Sequence, residues 1–189
     1  MSTKIGNLAS ATAAAGDEIP ANRSGSDVKL TAAGIAALGP NSYAGIYIYD
    51  GATAQVIATG TTPVKLTHFA AAGGANGLFA TCTPDKANSK IIVVRAGVYY
   101  VNYSVSFLSS VASINWEMYV FSDGTIVPAT GSLSKMGTGA GTDTKCLNGG
   151  GFVAVAANKD IDLRGYHDHG SNASITISHA NLTVRYVGT

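Results

Sequence analysis

The sequence predicts an all-β fold, an antiparallel sandwich whose simplest arrangement is a jelly roll, and three observations support this. First, between residues 97 and 107, Gly97, Tyr99, Val101, Tyr103, Val105 and Phe107 alternate with Val98, Tyr100, Asn102, Ser104 and Ser106. A two-residue period in aromatic and β-branched positions belongs to a half-buried strand, because a helix needs its apolar positions three and four apart. Second, short segments of the same kind recur from Tyr43 onward with no helical stretch between them. Third, the pairs Asp50-Gly51 and Asp123-Gly124 and the triplet Asn158-Lys159-Asp160 supply tight turns between them. Many short strands with turn signals and no helices make a sandwich.

Composition changes near Pro40, which divides the chain into an N-terminal segment, residues 1–39, and a strand-rich domain, residues 43–189. The first part has no aromatic residue. Within it, Glu18-Ile19-Pro20-Ala21-Asn22-Arg23 and Asp27-Val28-Lys29-Leu30 flank Ser24-Gly25-Ser26, the pattern of a small hairpin. Thr31 is placed to N-cap a short helix over 32–38, closed by Gly39-Pro40. So small a piece owns no core and should order against a partner. In the second part the expected strands are 44–49, 55–58, 64–66, 78–83, 90–94, 97–108, 114–121, 152–155, 161–166, 175–178 and 182–187. The Gly- and Ala-rich stretches 70–77 and 137–144 read as surface loops. Near His179-Ala180 the alternation changes parity, from Ile175 and Ile177 to Leu182, Val184 and Tyr186, which predicts a bulge or tight corner.

The 189 residues are 46% hydrophobic, enough to fill a core, and only 12% charged, about half the usual share. With a formal charge of +1 and scattered Lys and Arg, the chain has no basic stripe for phosphates, so nucleic acid is not an expected partner. A weakly charged surface resists association poorly and should be covered in an assembly. No run of about 18 apolar residues occurs, so membrane insertion is not expected, and the N-terminus lacks the apolar core of a secretion signal. The reading is a product made in the cytoplasm. Cys82 and Cys146 could form one disulfide, but that compartment favours two buried thiols.

The segment Gly97-Val98-Tyr99-Tyr100-Val101-Asn102-Tyr103-Ser104-Val105 resembles the Gly-x-Tyr-aromatic strand of the C1q/TNF-like jelly roll. The 156–163 hairpin, Ala156-Ala157-Asn158-Lys159-Asp160-Ile161-Asp162-Leu163, is similar to that family's Gly-Asp-x-Val motif, with Asn-Lys-Asp where Gly-Asp is usual. Ala180-Asn181-Leu182-Thr183-Val184 resembles its closing strand in the form common among phage virion proteins. The leader, from Lys4-Ile5-Gly6-Asn7-Leu8 through Asp17-Glu18-Ile19-Pro20 to Leu30-Thr31-Ala32-Ala33-Gly34-Ile35-Ala36-Ala37-Leu38, is similar to the attachment segments of tailed-phage fibre proteins. The resemblance implies a homotrimer. Ile5, Leu8, Ile19, Val28, Leu30, Ile35 and Leu38 would attach to a capsid, neck or tail protein, and Val98, Tyr100, Asn102, Tyr119 and Phe121 would form the trimer interface.

Groups that could carry chemistry are few. Two histidines one residue apart in Tyr166-His167-Asp168-His169 would project to one side of an extended chain, and a threefold axis could gather six imidazoles around one metal ion; the alternative is a polar loop leaving a strand. Otherwise no cofactor is expected. No Gly-x-Ser-x-Gly elbow occurs, His68 has no acid nearby in sequence, and Asp160, Asp162 and Asp168 read as turn and surface carboxylates, with Asp160 and Asp162 facing water. Trp116, Met118 and Val120 share one strand face and Tyr119 and Phe121 the other, so one face should pack in the core and the other in a subunit interface; a carbohydrate platform on Trp116 is the rival reading. Gly73-Gly74-Ala75-Asn76-Gly77 lacks the Lys and the helix of a phosphate loop.

These readings converge on a non-enzymatic virion protein, a head fibre or decoration protein. The alternative is a receptor-binding tail-fibre tip that recognises a host surface glycan or protein. A glycan hydrolase or esterase is the third reading and lacks the convergent residues it would need.

Overall fold

A computed structural model describes the backbone of residues 18–23 and 26–31 together with residues 42–188, and the chain divides into two compact units, Met1–Pro40 and Asn41–Thr189. In the first unit β1 (Glu18–Arg23) and β2 (Ser26–Thr31) form the expected antiparallel hairpin, with Ile19 opposite Leu30 and Ala21 opposite Val28. The helix expected over 32–38 lies outside the described residues, as do Ile5, Leu8, Ile35 and Leu38.

The second unit is an antiparallel jelly-roll sandwich. One sheet has the order β13-β9-β15-β3-β6, formed by Lys145–Val155, Gly97–Ser109, Ala173–Gly188, Tyr43–Ile48 and Gly74–Asn76, with β4 (Ala54–Ile57) also paired to β15. The other runs β11-β10-β14-β8-β7, formed by Thr125–Ile126, Asn115–Ser122, Lys159–His167, Lys90–Val93 and Thr83–Asp85. In it β12 (Ser132–Lys135) pairs with β10 and β5 (Gly60–Lys65) with β14.

Alternation decides the core. Tyr99, Val101, Tyr103, Val105 and Phe107 of β9 are fully buried, as are Trp116, Met118 and Val120 of β10 and Ile175, Ile177 and Leu182 of β15. Phe107 meets Trp116 edge to face with ring centres 6.0 Å apart. The Tyr103 hydroxyl crosses between the sheets and shares its proton between the carbonyls of Met118 (2.8 Å) and Thr130 (3.0 Å), so this buried phenol is satisfied and ties β9 to β10. Burial and the neighbouring Tyr119 push its pKa up.

Four details differ from the expected strands. Residues 145–151 extend the strand expected at 152–155, because Gly149, Gly150 and Gly151 pair in register with Tyr103, Asn102 and Val101. A Cβ on Gly149 would strike the Tyr103 hydroxyl and the Thr130 carbonyl, so the glycine makes room for that crossing. The strand expected at 78–83 is reduced to a bridge at Ala80 and the first residue of β7, Thr83. Gly77 and Ala80 donate to the carbonyls of Gly45 and Tyr43, both at 2.8 Å, so Leu78 and Phe79 together stand opposite Ala44 and are extruded. The stretch 70–77, expected to be loop, contributes β6 to the sheet edge. Finally, 175–178 and 182–187 belong to one strand, β15, whose register shifts between Ile177 and His179; this is the bulge that the parity change anticipates. The turns take the expected residues, with positive φ at Asp50, Asp123, Gly124 and Asn158.

Candidate interaction face

Strand parity places Val98, Tyr100 and Asn102 on the outer side of the six-stranded sheet, and register carries that side across four strands. One row runs Phe152, Tyr100, Arg185, Tyr43; the next Gly150, Asn102, Thr183, Gly45; the third Asn148, Ser104, Asn181, Tyr47. The first row is a ridge, in which Tyr100 and Phe152 meet edge to face at 5.5 Å. The second is built of small residues and forms a trough. Between Tyr43, Tyr47, Leu78 and Tyr100 the trough deepens into a cavity of about 470 Å³ floored by Gly45 and Thr183. Tyr49, packed edge to face on His179 at 4.9 Å, extends the aromatic surface. Arg185 is the one charged side chain in these rows.

Tyr43, Tyr47, Tyr49, Tyr100 and Phe152 are exposed, from 37% at Tyr43 to 67% at Tyr49. At about 200 Å² per ring residue they leave on the order of 500 Å² of aromatic surface in water. A patch of that size is on the scale of the largest apolar patch of a typical monomer, which is often functional. Sequence reasoning found Val98, Tyr100 and Asn102 but not Tyr43, Tyr47 or Phe152. The alternation of Tyr43, Gly45 and Tyr47 against the buried Ala44, Ile46 and Ile48 was the signal available.

Tyr119 and Phe121 lie on the outer side of the other sheet, so the five residues expected at one interface are parted between opposite faces of the sandwich. Phe121 is buried beneath Arg164, whose guanidinium carbon sits 4.3 Å from the ring centre. Arg164 grips Asp162 through Nε (2.8 Å) and Nη2 (3.2 Å), and Lys65 approaches Asp162 at 3.7 Å. The water-facing Asp162 expected from alternation is therefore wrong: it is 4% exposed, because two cations on its own face close over it. Asp160 instead pairs with Lys90 at 2.9 Å.

His167 is turned into the protein. Its Nδ1 accepts the His169 amide at 3.2 Å, so Nε2 carries the proton and donates to the Ile57 carbonyl at 3.1 Å, while the ring packs on Trp116 at 4.9 Å. Neither nitrogen of this imidazole is left for a metal, so the paired histidines expected to reach one axis are not presented together. His169 lies in the loop, where its Nδ1 meets the Ser171 hydroxyl at 3.1 Å. Trp116 is fully buried, which removes it as a carbohydrate platform. His68 is buried with Nε2 on the Ile175 carbonyl at 3.1 Å, and desolvation holds its pKa below the ordinary value. Both cysteines are free. Cys82 is buried and burial raises its pKa, but Cys146, expected to be buried, is exposed on β13, 3.2 Å from the Ser106 hydroxyl.

No family model matches the sequence, and a search of curated proteins returns no match. Among solved structures, the Eiger TNF of S. frugiperda is similar at 10% identity with a TM-score of 0.50, over 78% of this chain and 95% of that one. The globular domain of zebrafish complement 1qA protein is similar at 10% identity with a TM-score of 0.51, over 78% and 98%. The shared feature is the jelly-roll fold.

Proposed function

We propose that this chain is a non-enzymatic structural protein of a phage virion. In this reading it is a homotrimeric head fibre or decoration protein whose residues 1–39 attach to a capsid, neck or tail component and whose residues 43–189 form the projecting knob. The observation that carries the reading is the aromatic, nearly uncharged outer face of the six-stranded sheet, whose ridge and cavity lie side by side. In a closed ring of three, each copy offers two different patches to its neighbours, so one face that holds both a ridge and a cavity suits that symmetry. The attachment role rests on the leader's resemblance and on its division from the knob. The non-enzymatic reading is supported by His68 and His167, each of which spends Nε2 on a main-chain carbonyl.

Light scattering on the eluting protein tests the assembly: the expected mass is about three times 19.1 kDa, and a monomer at micromolar concentration overturns the reading. Deleting residues 1–39 should leave a folded trimer that no longer joins particles. A deletion protein still incorporated at the wild-type level would place attachment elsewhere.

A further inference from the structure

On the opposite side of the sandwich, β10 and β14 build a second surface, which goes beyond the proposed assembly and does not depend on it. Because Trp116, Met118 and Val120 point into the core, Glu117 and Tyr119 face outward, and register sets Glu117 beside Tyr166. The rings of Tyr119 and Tyr166 lie parallel to within 4°, with centres 6.3 Å apart. The Tyr119 hydroxyl donates to Glu117 Oε2 at 2.5 Å, which fixes the carboxylate between the two phenols and raises the Tyr119 pKa.

Beside Tyr166 lies a groove of about 410 Å³, lined also by Glu117, Thr59, Asp168 and His169. Its parts are held in place. Asp168 accepts from the Asn115 amide at 2.9 Å and from Asn115 Nδ2 at 2.5 Å, and the amide bond keeps its pKa below the ordinary carboxylate value. The Thr59 hydroxyl donates to the His169 carbonyl at 2.9 Å and anchors the loop. Gly170 also lines the groove, with open space where a side chain would be.

The lining combines one tyrosine, Tyr166, with two carboxylates and two imidazoles, of which His167 has both nitrogens engaged, and neither Lys nor Arg is among it. His169 uses Nδ1 on Ser171, and its Nε2 has no protein partner among the described residues. An anionic ligand would face Glu117 and Asp168 with no cation in return. An uncharged ligand with one apolar face and a rim of hydroxyls meets both kinds of surface, and both carboxylates are already oriented by neutral donors, as hydroxyl recognition requires. We infer that this groove binds a neutral pyranose unit of an oligosaccharide, its ring face on Tyr166 and its hydroxyls on Glu117, Asp168 and His169.

The test uses the full chain on a panel of neutral oligosaccharides of glucose, galactose, mannose and N-acetylglucosamine. Sialylated and sulfated forms serve as anionic controls and spermidine as a cationic one. At least one neutral sugar should bind at millimolar concentration or below, Tyr166→Ala should weaken it at least tenfold, and Gly170→Phe, which fills open space without touching the core, should abolish it. Three results would overturn the inference: no neutral sugar bound at 10 mM, about tenfold above the weakest Kd expected; tighter binding of the anionic forms or spermidine; or neutral-sugar binding unchanged in a folded Gly170→Phe protein. Should Tyr166→Ala fail to fold, Gly170→Phe still decides.

Discussion

Replacing Tyr100 by Asp separates self-association from folding, because the side chain is anchored in β9 yet points away from the core. Tyr100 is 43% exposed and touches Phe152 edge to face. Within one subunit the change removes an aromatic pair and a favourable strand residue, together about 2 kcal/mol, which lowers Tm by roughly 4–8 °C for a unit of this size. At an interface the loss is larger. The open part of the ring, about 90 Å², contributes about 2 kcal/mol per contact if covered, and burying a carboxylate there adds a desolvation cost that its cross-strand neighbour Arg185 offsets only in part. With three contacts per ring, the variant should be monomeric at micromolar concentration while still unfolding cooperatively. Light scattering and a thermal melt read the two effects apart. A variant that stays trimeric, with only the small drop in Tm, would show that the aromatic face is not where the subunits meet.

Two further outcomes follow from the buried groups. A thiol reagent should titrate one cysteine, Cys146, in the native protein and a second, Cys82, only after unfolding; rapid reaction of both in native buffer would contradict the burial of Cys82 against the sheet. His68 has its pKa lowered by burial, so the unfolded chain takes up this proton first, and stability is lost as pH falls below about 6.5. A one-unit fall through that window removes at most about 1.4 kcal/mol, or roughly 3–5 °C in Tm, and His68→Gln should flatten the slope between pH 7 and 5. An unchanged slope would assign the acid sensitivity to other groups.

The fold was legible because a two-residue period is a local property. The inward set of β9, the Trp116–Met118–Val120 stripe and the parity change before Leu182 can each be read without knowing any neighbour, and all three are found in the sandwich. Reading failed where the decisive atom comes from another strand. Gly149 looks like a loop residue until the Tyr103 hydroxyl is seen to need its space, and Leu78-Phe79 look like strand until β3 offers one residue, Ala44, opposite the two. Asp162 alternates outward as expected, but Arg164 and Lys65 cover it from the same face. Pairing His167 with His169 on one side requires an extended chain; it leaves the sheet after His167, and the first imidazole packs against Trp116.

By itself, then, the sequence determined which residues of each strand face in and out, where the turns fall, and hence an antiparallel sandwich. Only the tertiary structure decided which outward residues meet. Tyr43, Tyr100 and Phe152 lie far apart in the chain, and they form one ridge because strand order and register bring β3, β15, β9 and β13 side by side. Alternation sets the side a residue occupies, but its neighbours on that side are set by hydrogen-bonded pairing between distant segments, which no local pattern encodes.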